Sequence, residues 1–216
     1  MSDSARHCEG QFFEQPPSQP DEFAKAGNFL SEHPEMKNNL KLPPELASLL
    51  VPGSLKADEN LELRLGRRNG SSSFEMMVTD KKVPYNKGAV RQNMSFDESR
   101  DPGNFFAGGE RPKTPVLYAQ LDLLNDDRRA LILSTVDVNR NYQGQGIGAE
   151  FQERLEKLAR ELGFELILAE AVNPGAFKFN VKSGFSKLTD RKILSAMKRQ
   201  GFKGSEDGYI PVVKRL

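Results

Sequence analysis

The chain has 216 residues, a hydrophobic fraction of 37% and a formal net charge of +1 at pH 7, which is enough for one or two domains. Its one cysteine, Cys8, and its two histidines, His7 and His33, all precede residue 34. We therefore do not expect a Cys/His zinc site, a disulfide scaffold or a histidine-based catalytic pair in the rest of the chain. Ten acidic and five basic side chains fall in residues 1–59, so residues 60–216 are mildly basic, too weakly to indicate nucleic-acid binding.

The cellular setting follows from two further absences. No apolar run approaches the roughly 18 residues that a membrane span needs. The first six residues lack the charged-then-apolar pattern of a secretory signal. We therefore expect a cytoplasmic protein that has no contact with a membrane.

The N-terminal segment differs in composition from the rest of the chain. Residues 1–43 are rich in Gln, Pro, Ser and Glu, with prolines too closely spaced for long regular elements. Short helices fit only residues 21–31 and 44–50. The composition predicts a flexible acidic arm over residues 1–59 and a folded domain over residues 60–216.

The first strands of that domain are predicted from alternating apolar residues. Residues 61–65 alternate with period two, a turn follows at 68–70, and residues 74–79 form a second strand. The segment 80–114 is dense in Gly, Pro, Asn and charge, and loops of that length are usually functional. Strands over 116–124 and 130–138, joined by a tight turn, form a second antiparallel pair.

The second half of the domain alternates helices and strands. A helix over 146–162 carries an apolar stripe that predicts burial: Ile147, Phe151, Leu155, Leu158 and Leu162. A strand over 164–172, a helix over 174–183 and a strand over 209–214 follow. This order predicts an α+β or mixed-sheet α/β domain.

A loop with three alternate glycines joins the strand 130–138 to the long helix. Gly144, Gly146 and Gly148 let backbone N–H groups approach a ligand closely. The start of the helix adds unpaired N–H donors with partial positive charge. The loop therefore predicts a phosphate or pyrophosphate site, whereas a turn that only reverses the chain would need fewer glycines.

Two known phosphate-binding motifs can be compared with this loop. The chain has no Gly-x-x-x-x-Gly-Lys-Ser/Thr motif, so a Walker A site is excluded. Gly144, Gly146 and Ala149 fit the dinucleotide fingerprint, with Glu170 about 20 residues further on. However, five residues separate the strand from Gly144, and too little chain follows for a doubly wound sheet. An NAD(P)-dependent oxidoreductase is therefore a less favoured alternative.

The same stretch resembles the GNAT superfamily of N-acetyltransferases, which bind acetyl-CoA. Gln143, Gly146 and Gly148 match the family's loop pattern after a strand that ends at Val138. Asn173, followed by a helix and by Gly-Phe at residues 184–185, matches a second family feature. The resemblance covers residues 115–216 well and residues 60–114 loosely.

The resemblance implies a mixed, mostly antiparallel sheet with a parallel, splayed strand pair flanked by helices. It also implies acetyl transfer from acetyl-CoA to a primary amine by direct attack, without a metal and without an acyl-enzyme. A backbone N–H near Val136 would stabilise the developing negative charge. The residues implied to bind the coenzyme are Val136, Asp137, Val138, Gln143, Gly144, Gln145, Gly146, Ile147, Gly148, Ala149, Asn173, Phe179 and Lys182.

The groups that would transfer protons are less usual. Many family members carry a tyrosine acid four residues before the glycine of Gly-Phe, and this chain has Asn180 there. An amide cannot act as a general acid. Glu170 is the candidate general base, because Asp137 should point away from the neighbouring valines. A CoA-binding regulatory module with weak or no turnover is therefore an alternative function.

The acceptor amine is not identified by the sequence, and either a small molecule or a protein would fit. We expect the segment 80–114 to contact it through its aromatic residues, which are Tyr85, Phe96, Phe105 and Phe106. No residue pattern indicates an oligomeric state.

Overall fold

The computed structural model of the chain describes residues 22, 23, 26, 29, 32, 33, 40–66, 73–94, 105, 110–125 and 129–216. The strands are β1 Leu61–Leu65, β2 Phe74–Pro84, β3 Lys113–Leu123, β4 Ala130–Val138, β5 Leu166–Ala171, β6 Ser186–Lys187 and β7 Ile210–Arg215. They form one seven-stranded sheet in the order β1-β2-β3-β4-β5-β7-β6. The pairings are antiparallel except β4 with β5, which is parallel. The predicted mixed sheet with one parallel pair is confirmed.

The helices are α1 Pro44–Leu49, α2 Gly53–Lys56, α3 Lys87–Asn93, α4 Ile147–Glu161, α5 Pro174–Lys182 and α6 Arg191–Arg199. The helices predicted over 44–50, 146–162 and 174–183 are confirmed, each within one residue at either end. Asn173 caps α5 by accepting a hydrogen bond from the Ala176 N–H at 2.8 Å. In the described residues no helix has both the length and the apolar character that a membrane span requires.

The sheet buries both of its faces, because neighbouring side chains on a strand point in opposite directions. The main core lies on the face covered by α1, α2 and α4, where Met76, Ala119 and Leu133 pack. On the opposite face, α3 packs near Met77 and Tyr118, and α6 packs in a second cluster with Ile132 and Leu168.

The segment 80–114 contains regular structure that its composition did not predict. β2 continues to Pro84, α3 follows, and β3 begins at Lys113. Phe105 is 3% exposed and packs edge-on against Tyr118, with ring centroids 6.1 Å apart. Phe105 is therefore a core residue, and the prediction that it contacts an acceptor is wrong for this side chain. Tyr85 borders the same cluster, while Phe96 and Phe106 lie outside the described residues.

The described residues before Asn60 also contribute to the core, which differs from the expected flexible arm. Leu40, Leu46, Leu50 and Leu55 are buried in the main core, and so is Phe23. They pack there because α1 and α2 present apolar faces to α4 and the sheet. The chain that packs on the domain thus begins before the predicted boundary at residue 60, and residues 1–21 lie outside the described residues.

Polar contacts of Arg154 hold this N-terminal segment against α4. Arg154 Nη1 donates to Glu22 Oε1 at 2.7 Å and to the Leu49 carbonyl at 3.0 Å, and its Nε donates to Glu150 Oε1 at 3.1 Å. The Gly53 N–H donates to the same Glu150 oxygen at 2.6 Å. Partial burial acts to raise the pKa of Glu150, but the hydrogen bonds from Gly53 and Arg154 outweigh it and lower the pKa.

We predict that Arg154→Ala destabilises the fold by about 1–3 kcal/mol, because a part-buried cluster of acceptors then loses its donor. The matched control is Arg160→Ala on the same helix. Arg160 is half-exposed and pairs with Glu156 in a salt bridge four residues apart, which is worth below about 0.5 kcal/mol. Urea unfolding of the two variants measures the difference, and equal losses would contradict this role of Arg154.

Candidate active site

A cleft opens where the parallel strands β4 and β5 separate. The two strands pair from Ala130–Leu166 to Leu133–Ala169. Beyond that point β4 stays paired with β3 as far as Val138, and β5 stays paired with β7 as far as Ala171. In the continuously described stretch 129–216, the β5-facing edge of residues 134–138 therefore has no neighbouring strand.

A β-bulge at Ser134 coincides with this separation. Leu133 pairs with Leu121 and Thr135 pairs with Gln120, so Ser134 is an extra residue on β4. A bulge bends its strand and increases the local twist. The bulge also moves the apolar residues of β4 from odd to even positions, and the valines at 136 and 138 therefore face the same core as Leu133.

Buried polar groups hold the bulge in place. Asp122, which is 7% exposed, accepts hydrogen bonds from the hydroxyls of Ser134 and Ser73. It also accepts a hydrogen bond from Gln120 Nε2 at 3.1 Å. A buried carboxylate requires such donors, and these three fix the backbone at the point where the cleft begins.

The loop after β4 is fixed by side-chain hydrogen bonds. The buried Asn139 donates from Nδ2 to the Pro115 carbonyl at 3.1 Å and accepts from the Asn141 N–H at 3.1 Å. Gln143 Nε2 donates to the Val138 carbonyl at 2.8 Å. Tyr142 donates from its hydroxyl to Asp80 at 3.3 Å, and burial together with the Asp80 charge raises the pKa of Tyr142. The loop is therefore held in one conformation before any ligand binds.

The glycines of this loop have a conformation that other residues rarely adopt. Gly144 and Gly146 both have φ of +79°, which is the left-handed region. Gly146 is the N-cap of α4, and among the described residues no side-chain hydrogen bond caps this helix start. A Cβ at Gly144 or Gly146 would meet no atom of the described part of the chain within 4 Å. The N-terminus of α4 is thus an open site of partial positive charge.

The cleft has a volume of about 720 Å³ and extends from the bulge of β4 to the first turns of α4 and α5. Most residues with a predicted coenzyme role line it, and these are Val136, Asp137, Val138, Gln143, Gly144, Gly146, Ile147, Gly148, Ala149, Asn173 and Phe179. The side chains of Gln145 and Lys182 are exposed and do not line it. Asp137 lies on the face of β4 opposite the two valines, because it pairs with Tyr118.

Asn180 lies in the wall of the cleft and is held by a second buried amide. It is 7% exposed, and its Oδ1 accepts a hydrogen bond from Gln152 Nε2 of α4 at 3.1 Å. Gln152 is 4% exposed, and among the described residues its Oε1 has no hydrogen-bond partner. Gln152 has no recognisable signal in the sequence, because a single glutamine beside an apolar stripe cannot be distinguished from a surface residue.

Glu170 also lines the cleft, and two main-chain N–H groups donate hydrogen bonds to its carboxylate. Oε1 accepts the Gly204 N–H at 2.7 Å, and Oε2 accepts the Lys203 N–H at 3.2 Å. Glu170 therefore holds the turn that follows α6. Moving this side chain toward a ligand would break both contacts.

Gly146 and Gly163 offer a matched test of the anion site. They lie at opposite ends of α4, with φ of +79° and +74° and open space at both Cβ positions. Alanine at either position should lower the free energy of unfolding by a similar amount, roughly 1–2 kcal/mol, because its Cβ strains a left-handed backbone. We predict that only Gly146→Ala weakens binding of acetyl-CoA, measured by calorimetry. Equal affinities of the two variants would contradict a site at the start of α4.

Comparison with known proteins identifies the family. The model of the Acetyltransferase (GNAT) family matches residues 72–185, which is more than half of the chain. A comparison with curated proteins finds no match.

Several solved structures share low sequence identity with this chain. Tetrahymena GCN5 is 13% identical, covering 90% of this chain and 84% of its own with a TM-score of 0.41. The IAA acetyltransferase from Bacillus cereus ATCC 14579 is 11% identical to this chain. The match covers 67% of this chain and 78% of the other chain, with a TM-score of 0.37. The PaiA N-acetyltransferase from Thermoplasma acidophilum, in complex with coenzyme A, is 14% identical to this chain. The match covers 60% of this chain and 66% of the other chain, with a TM-score of 0.36. The assignment depends on the family match, and by that match this chain belongs to the GNAT family of acetyltransferases.

Proposed function

We propose that this chain transfers the acetyl group of acetyl-CoA to a primary amine in the cleft between β4 and β5. The observation that carries the proposal is the uncapped N-terminus of α4 at the mouth of a cleft whose wall is an unpaired strand edge. Acetyl-CoA supplies the acetyl group as a thioester. The acceptor ammonium first loses a proton to solvent, and the neutral amine then attacks the thioester carbon. A C–N bond forms as the C–S bond breaks, the thiolate of CoA leaves, and the remaining extra proton on nitrogen passes to solvent. The acceptor is an amine of a small molecule or of a protein, and a cytoplasmic location stays a prediction.

The residues of the cleft fit acetyl-CoA at two places. At the start of α4, N–H groups without a side-chain cap and the open space at Gly144 and Gly146 suit a pyrophosphate. Along residues 134–138, the free edge of β4 offers backbone N–H and C=O groups to an extended chain that carries amides. A backbone N–H near Val136 would then stabilise negative charge on the thioester oxygen. Val136, Val138 and the segment 143–149 are therefore our proposed coenzyme residues.

We assign Asn180 as a hydrogen-bond donor to the sulfur of the leaving group. Because Gln152 donates to its Oδ1, the Nδ2 amino group is the end of the amide that is available to a ligand in the cleft. A cysteine thiol has a pKa of about 8.5, and alkyl thiols in general are far more acidic than alcohols, so a thiolate can leave as an anion when a donor stabilises it. Asn180 would supply that donor, and solvent would supply the proton later.

Two carboxylates, Asp137 and Glu170, line the cleft beside the site of attack. Their negative charge would attract the ammonium form of an acceptor. The general-base role predicted for Glu170 stays a prediction, and its two main-chain hydrogen bonds favour a role in holding the turn after α6.

The alternatives are less favoured by the fold. A mostly antiparallel sheet is unlike the doubly wound parallel sheet that binds NAD(P). A CoA-binding module without turnover would bind acetyl-CoA but release no CoA with any amine. Mass spectrometry of an amine panel incubated with labelled acetyl-CoA distinguishes these outcomes, and binding without any labelled product would overturn the transfer.

We predict that Asn180→Ala lowers kcat about ten-fold or more, because a hydrogen bond to a charged group is lost, while the KM for acetyl-CoA changes little. Gln152→Leu should lower kcat less, since it leaves Asn180 in place but misaligned. The double variant should be no slower than Asn180→Ala alone, because the two residues act through one contact. Steady-state kinetics of the three variants measures this. An unchanged kcat in Asn180→Ala would remove Asn180 from the mechanism.

A further inference from the structure

A second cavity of about 390 Å³ adjoins the cleft on the other side of Glu170. Its walls come from one face of α6, from the turn at residues 202–205 and from Pro211 of β7. Glu170 lines both cavities, and its carboxylate holds the turn through the main-chain N–H groups of Lys203 and Gly204. The second cavity therefore has a fixed wall and shares Glu170 with the cleft.

The wall of this cavity is apolar at its base. Met197 is 2% exposed, Pro211 is buried, and Leu194 and Phe202 are half-buried beside them. Pockets of a few hundred Å³ with such a lining are typical of small-molecule sites. The base suits the hydrocarbon part of a small ligand.

The rim of the cavity is basic. Lys198 and Lys203 line it with exposed side chains. Lys203 Nζ donates to the Tyr209 hydroxyl at 3.3 Å and lies 5.0 Å from the centre of that ring. The hydrogen bond with Tyr209 raises the pKa of Lys203. α6 itself carries four basic and no acidic residues between Arg191 and Arg199.

These features complement the two carboxylates of the cleft. An ammonium group would lie near Asp137 and Glu170, and a negative group would lie near Lys198 and Lys203. We infer that the second cavity binds the body of the acceptor, and that the acceptor is a small amine with an apolar side chain and a carboxylate, as in an apolar amino acid. This inference rests on the proposed acetyl transfer, and it disfavours polycationic amines as acceptors.

The test compares two amines that differ only in charge, L-phenylalanine and L-phenylalaninamide. Because the two amines differ in basicity, the measured quantity is the change of their kcat/KM ratio between protein variants. Lys198→Met and Lys203→Met should each reduce the preference for L-phenylalanine about ten-fold, as expected for a lost charge-assisted hydrogen bond. Lys192→Met is the matched control, since Lys192 is an exposed lysine of α6 that does not line the cavity.

Calorimetric titration of L-phenylalanine into the full chain tests the cavity separately from turnover. We expect binding that Lys203→Met and Phe202→Ala weaken and that Lys192→Met leaves unchanged. If amines are acetylated while L-phenylalanine neither binds nor reacts, or while the ratio is the same in all variants, the inference is overturned and the proposed function stands. If L-phenylalanine binds but no amine is ever acetylated, the proposed function is overturned instead, and with it the role of the bound molecule as an acceptor.

Discussion

The end of β4–β5 pairing after Leu133 and Ala169 is the constraint on which the rest of the site depends. It leaves the β5-facing edge of residues 134–138 available, although β4 itself stays paired with β3 as far as Val138. The bulge at Ser134 lies at this point and is fixed by buried hydrogen bonds to Asp122. Because β4 then leads through a hydrogen-bonded loop into α4, the same strand that forms the free edge also places an uncapped helix start at the mouth of the cleft.

The remaining walls of the cleft are fixed by contacts that tie separate parts of the chain together. Arg154 and Glu150 hold the N-terminal segment against α4, which supports the helix whose first turn faces the cleft. Gln152 joins α4 to Asn180 of α5, and Glu170 joins β5 to the turn after α6. A site built in this way is preorganised, so little conformational freedom has to be lost when its ligands bind.

Local patterns in the sequence were enough to predict much of this fold. The alternation in β1 and the apolar stripe of α4 are short-range signals, and the strand and the buried helix face that they predict are confirmed. The glycines at 144 and 146 have positive φ, and the phosphate site predicted from them stays a prediction. α6 carried a signal that was not used, since Asp190 caps it and Ile193, Leu194 and Met197 fall on one face. In the sequence, the bulge corresponds to a switch of the core-facing apolar residues from odd to even positions between Leu133 and Val136. The burial of Gln152, of Phe105 and of the residues before Asn60 depends on packing between distant segments, which no local pattern contains.

Hydrogen exchange of the full chain with and without acetyl-CoA tests most directly whether backbone groups of this cleft bind the coenzyme. At saturating acetyl-CoA we expect slower exchange of amides in residues 134–138 and in residues 143–149, the two segments that border the cleft at β4 and at the start of α4. Residues 61–65 of β1, at the far edge of the sheet, should exchange at the same rate in both states. Unchanged exchange in both cleft segments, or protection confined to other parts of the chain, would contradict the account.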